Sequence, residues 1–165
     1  MLATEVLLRL GAAALAGAAL GLDREARGKP AGLRTHALVS IGAALVTLVA
    51  IELSLGEGGV DANAVSRVIQ GIVAGVGFLG GGAILKSRDR DDVRGLTTAA
   101  TIWIVAALGV ACGAGVWIAA LGSLLLSAIV RILGRPVEKA VRSWQKRRLA
   151  RLEVPAAIRN ADEDE

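Results

Sequence analysis

The chain has one cysteine, one histidine, one phenylalanine and no tyrosine in 165 residues. The lone Cys112 excludes an intramolecular disulfide and a cysteine-built zinc site. With His36 as the sole histidine, the usual zinc-binding His pair is absent and a conventional Ser-His triad finds no motif. The stretch LGSLL around Ser123 does not have the Gly-x-Ser-x-Gly spacing of a nucleophile elbow. These absences predict a non-enzymatic chain with no cofactor. Asp and Glu are also scarce inside the apolar runs, which argues against a buried carboxylate proton relay.

Apolar residues and glycine are abundant. Hydrophobic residues make up 54% of the chain, Gly numbers 21, and the mean hydropathy is +0.59. A soluble domain carries roughly 45–50% apolar residues interleaved with charge; here they come in blocks. Five blocks read as membrane spans: Glu5–Leu22, Thr35–Leu53, Val65–Leu85, Thr98–Cys112 and Val116–Leu133. Runs of about 17–25 residues cross a hydrocarbon layer of about 30 Å. The expected fold is all-α: five transmembrane helices over residues 1–133, then a cytoplasmic segment over 134–165. Met1–Glu5 holds no Lys or Arg, so the first run reads as a span rather than a cleaved signal peptide.

Basic residues cluster at alternate ends of the spans. Arg24, Arg27, Lys29 and Arg34 follow the first, and Lys86, Arg88, Arg90 and Arg94 follow the third. Arg135, Lys139, Arg142, Lys146, Arg147, Arg148, Arg151 and Arg159 follow the fifth. The second loop holds Glu57 and Asp61 with Arg67 at its edge, and the turn 113–115 is uncharged. Lys and Arg concentrate on the cytoplasmic side, which predicts an outside N-terminus and a cytoplasmic C-terminus. From Arg135 to Arg151 the charges alternate with Val137, Ala140, Val141, Trp144 and Leu152. That spacing predicts a basic amphipathic helix on the membrane surface, with a plain topology anchor as the competing reading and the acidic residues 162–165 left in water.

Shifting the chain by 63 residues aligns GLRTHALVSIGAAL (32–45) with GLTTAATIWIVAAL (95–108) and Gly17 with Gly80. The implied architecture is a parallel repeat of two helix pairs. Thr35 and Thr97 or Thr98 are expected to cap the second helix of each pair. With Arg34 and Arg94 beside them, the two helix starts read either as plain capped starts or as an anion-friendly spot at the cytoplasmic mouth. The stretch GIVAGVGFLGGG (71–82) contains Gly75-x-Gly77-x-x-Gly80, a dinucleotide-loop spacing without the strand and turn that such a loop needs. Glycines four apart instead predict close helix packing, at Gly71, Gly75, Gly77, Gly80 and Gly81, and at Gly17 and Gly21. Arg9 is expected to snorkel to the outer interface, and Gln70 to hydrogen-bond between helices.

The segments GLDRE…KPAGLRTHALVSIGAAL, IVAGVGFLGGGAIL and VRGLTTAATIWIVAALGVACGAG resemble the MgtC/SapB family of bacterial inner-membrane proteins, from about Leu10 to Leu133. The resemblance implies a role in growth under magnesium limitation and in virulence. It also implies action on a membrane-protein partner such as the rotary ATP synthase. Two functions are carried forward: a regulator of ion homeostasis or membrane energetics acting through such a partner, and a small ion transporter with a cation path between the repeats. The candidate cytoplasmic cluster comprises Asp23, Arg24, Glu25, Arg34, Thr35, Arg94, Thr97 and Thr98. Asp23 and Glu25 are the metal candidates, since Mg²⁺ takes one or two carboxylates with water; a salt-bridge cluster with Arg24, Arg27 and Arg34 is the competing reading. The expected partners are the lipid bilayer, a membrane protein and a second copy of the chain, with no nucleic acid.

Overall fold

The computed structural model describes residues 2–56, 59–86 and 93–161. Five helices dominate it: α1 (Ala3–Glu25), α2 (Leu33–Leu53), α3 (Ala62–Ala83), α4 (Leu96–Ala114) and α5 (Trp117–Ala161). Each contains a stretch long and apolar enough to cross a membrane. Helices satisfy every interior backbone group without water, which is why apolar runs of this length adopt them in lipid. Two antiparallel two-residue pairings sit in the connections: β1 (Leu55–Gly56) with β2 (Gly59–Val60), and β3 (Leu85–Lys86) with β4 (Val93–Arg94).

The chain divides into two compact units, residues 1–125 and 126–165. In the first, α2 and α4 form the centre: α2 packs chiefly on α1 and α4, while α3 packs chiefly on α4. The core is built from small and branched residues. Ala13 and Leu20 of α1 meet Ala44 of α2, Val105, Leu108 and Cys112 of α4 and Ala120 of α5. A second cluster joins Ala43, Val76, Ile102 and Ala106. The expected boundary at 133/134 falls inside α5, which continues as helix past Gly134 and Pro136.

Glycine sets how close the helices come. A Cβ at Gly17 would lie 2.5 Å from the His36 carbonyl oxygen, and one at Gly21 2.7 Å from that of Gly32. From the other side, a Cβ at Gly113 would lie 2.5 Å from the Ala44 carbonyl oxygen, and one at Gly109 would overlap that of Ser40. α2 is therefore clamped between the glycine faces of α1 and α4. The expectation for α3 needs correction. Among the described residues, nothing lies against Gly71, Gly75, Gly77 and Gly81, and of these five glycines only Gly80 meets a neighbour, Ala99, at 3.5 Å. Regular spacing marks a smooth face on a helix, but which smooth face is covered depends on where the other helices lie.

The repeat has a structural counterpart. α2 begins at Leu33 and α4 at Leu96, 63 positions apart, with Gly32 and Gly95 as N-caps. Gly17 packs on the His36 position of α2, and Gly80 on the Ala99 position of α4, which are equivalent under the same shift. At Gly95 the backbone φ is +96°, and any Cβ would collide with the Ala83 carbonyl, so glycine is required there.

Candidate functional site

Arg24 lies on the last turn of α1 and is only 4% exposed. A guanidinium has five donors and a permanent charge, so it is tolerated inside only where oxygens surround it. Nη2 donates to the Pro30 carbonyl at 2.9 Å and Nε to the Ala31 carbonyl at 3.2 Å. Nη2 also donates to Thr98 Oγ1, while Nη1 reaches Thr101 Oγ1 at 3.5 Å. Thr98 and Thr101, three apart on α4, share one helix face. The Thr101 hydroxyl gives its own proton to the Thr97 carbonyl at 2.6 Å, which leaves its lone pairs to face Arg24. One side chain thus ties α1, the 26–32 turn and α4 together.

The turn is shaped around this tie. Ala31 has φ +58°, a left-handed conformation costing a non-glycine residue roughly 1–2 kcal/mol. The bonds from Arg24 to the carbonyls of Pro30 and Ala31 hold it there.

The neighbouring carboxylates turn away from each other. Asp23 pairs with Arg27 one turn on. Glu25 Oε2 accepts from the Leu33 backbone N–H at 2.8 Å, placing a negative charge at the start of α2, where the helix dipole favours it. Gly32 and Gly95 offer no side-chain cap. The expected threonine caps are therefore not formed: Thr35 and Thr98 already lie in the first helical turn. Thr98 accepts from Arg24 instead, and Thr35 is exposed.

Among the expected site residues, the structure joins Arg24, Thr98 and the Thr97 carbonyl. Arg34 and Thr35 line an open depression with Glu25, Lys29 and Pro30. Arg94 is placed by its backbone in β4 opposite Leu85; its side chain, and the whole of Arg88 and Arg90, lie outside the described residues. Asp23 and Glu25 each have a separate partner, and no group of three or more His, Cys, Asp or Glu stands together among the described residues.

Sequence reasoning missed Thr101 and the polar face of α2. His36, Ser40 and Thr47 are all fully buried. His36 Nδ1 lies 2.9 Å from the Gly32 carbonyl oxygen, and Thr47 Oγ1 donates to the Ala43 carbonyl at 2.8 Å. Ser40 Oγ has no hydrogen-bond partner among the described residues. The signal was present as three polar residues four and seven apart in an apolar helix. Arg9 donates to the Gly113 carbonyl at 2.7 Å and pairs with Glu5, so it caps the C-terminal end of α4. Gln70 bonds within its own helix, to Ser66 Oγ at 3.4 Å.

Five apolar helices, with α2 clamped through glycine between α1 and α4 and a buried arginine tying α1 to α4, define a multi-pass α-helical membrane protein. The chain belongs to the MgtC family, whose family model matches residues 10–140. It is 50% identical over 115 residues to Protein SrpB of Synechococcus elongatus, covering 66% of this chain and 63% of that one. It is 45% identical over 118 residues to YhiD of Escherichia coli (strain K12), named "Putative magnesium transporter YhiD", covering 68% and 53%. It is 40% identical over 141 residues to Protein MgtC of Salmonella typhimurium, covering 86% and 57%. The chain thus spans 53–63% of the length of these relatives. No solved structure matches it.

Proposed function

We propose that the chain is a non-enzymatic protein of the bacterial inner membrane that regulates magnesium homeostasis or membrane energetics by binding another membrane protein. The observation that carries this reading is the Arg24 tie. It couples the basic turn between α1 and α2 to the first turns of α4 through neutral oxygens. A partner pressing on that turn would move the two central helices together. The printed name of the relative YhiD points to magnesium, and the positive-inside rule supports placing the Arg24 end in the cytoplasm.

A second reading has its own observation. The buried hydroxyls and imidazole along α2, with an unsatisfied Ser40 Oγ, are the groups a cation path between the repeats would use. Buried polar groups in a membrane helix are costly and mark pathways in transporters. Proteoliposomes loaded with Mg²⁺- and H⁺-sensitive dyes separate the two. No flux above protein-free vesicles, with growth at low magnesium still restored by the gene, supports the regulator. Protein-dependent flux abolished by Ser40→Leu supports the transporter and sinks the regulator.

A further inference from the structure

The second unit carries an apolar stripe that nothing in its own described residues covers. Leu126, Val130, Leu133, Val137, Val141 and Trp144 recur at intervals of three and four and are 49–68% exposed. The first three belong to a predicted span. The last three continue the same face beyond Gly134, into a segment too basic for the hydrocarbon layer. Between Pro136 and Arg148 there are five basic residues, Lys139, Arg142, Lys146, Arg147 and Arg148, against one acidic residue, Glu138. At 100° per residue, Lys139, Arg142 and Lys146 lie opposite the stripe, Arg147 flanks it, and Arg148 lies over the Trp144 ring at 5.5 Å from its centroid. The helix is therefore amphipathic, with a tryptophan at the polar end of its apolar face.

We propose that residues 136–148 dock on the anionic headgroups of the membrane that the chain spans. Charge selects this occupant. Two copies of a segment with this excess of positive charge repel one another, whereas an anionic leaflet attracts it and takes up the apolar stripe at the headgroup boundary. Tryptophan suits that depth because its ring is apolar and its N–H finds water or phosphate. Gly134 and Pro136 favour a change of direction: Pro136 has no N–H for the Ile132 carbonyl, so a bend there has one helix bond fewer to break. The docking does not depend on whether the chain moves ions.

The test uses the full chain, one copy per nanodisc, with Trp103→Phe and Trp117→Phe so that Trp144 alone reports. In discs rich in phosphatidylglycerol, brominated lipid quenches Trp144 and aqueous iodide does not. In phosphatidylcholine discs, or at high salt, iodide reaches the ring. Replacing Lys139, Arg142 or Lys146 by Gln lowers the docked-to-free ratio about fivefold per charge. A second reporter, a solvent-sensitive dye on Val141→Cys in a Cys112→Ser background, checks the result without touching Trp103. Equal iodide access in both lipids overturns the proposal, as does protection that survives in phosphatidylcholine at high salt. Protection seen only with two copies per disc overturns it in favour of self-association.

Discussion

Arg24 shows how one residue can organise a membrane domain's end. Its guanidinium gathers two turn carbonyls and two α4 hydroxyls, and removing it leaves those acceptors facing a void. Hydrogen bonds to a charged group contribute about 1.5–3 kcal/mol, so Arg24→Met is expected to lower stability in detergent by at least that much. Arg24→Lys keeps the charge but cannot present a planar fork and should fall between the two. Denaturant titration of the purified protein measures both. If Arg24 also couples the turn to α4 in function, Arg24→Lys loses growth support at low magnesium while its protein level stays normal. Full support from the Lys variant confines Arg24 to a structural role.

At the scale of elements, the clamp on α2 distinguishes glycines that look alike in sequence. Gly109→Leu and Gly113→Leu force side-chain atoms into the backbone of α2. Overpacking costs typically 1–3 kcal/mol, and these sites lie at the tight end because the obstruction is a carbonyl rather than a movable side chain. Gly17→Leu should behave alike from the α1 side. Gly75→Leu meets open space among the described residues and should leave the thermal midpoint of the isolated protein nearly unchanged. Thermal scans of the four variants in one detergent check the order; a Gly75 variant as unstable as the Gly109 variant would contradict the packing described. Glu25→Gln tests a separate contact, since it weakens the charge-assisted cap on α2 and should raise amide exchange at Leu33 without unfolding the helix.

For the whole molecule, the proposed orientation rests on charge. Reporter fusions after Gly58 should report outside and fusions after Arg148 inside, because the basic residues lie at the opposite ends of the spans from Glu57 and Asp61. A cytoplasmic signal at Gly58 would overturn the arrangement proposed. The asymmetry between the two repeats also matters at this scale. α1 is held by α2 and α4 together, whereas α3 rests mainly on α4, so among α1 to α4 it is α3 that leaves the most surface for lipid or another chain.

Much of this was legible from residue order alone. The five helices follow from apolar runs that must satisfy their own backbone in lipid. The repeat was readable because the helix starts at Leu33 and Leu96 share their flanking residues. The choice among glycines was not readable, because Gly75 and Gly109 differ only in what lies across from them, and that is decided by packing between distant segments. Arg24 was readable as a member of the cytoplasmic cluster but its burial was not, since nothing local tells a solvated arginine from one enclosed by Thr98 and Thr101 seventy-odd positions away. Composition and spacing determined that this chain crosses a membrane five times in helices. Tertiary structure alone decided which faces close on one another and which polar groups are buried, because burial depends on the neighbours that the fold brings across from each residue.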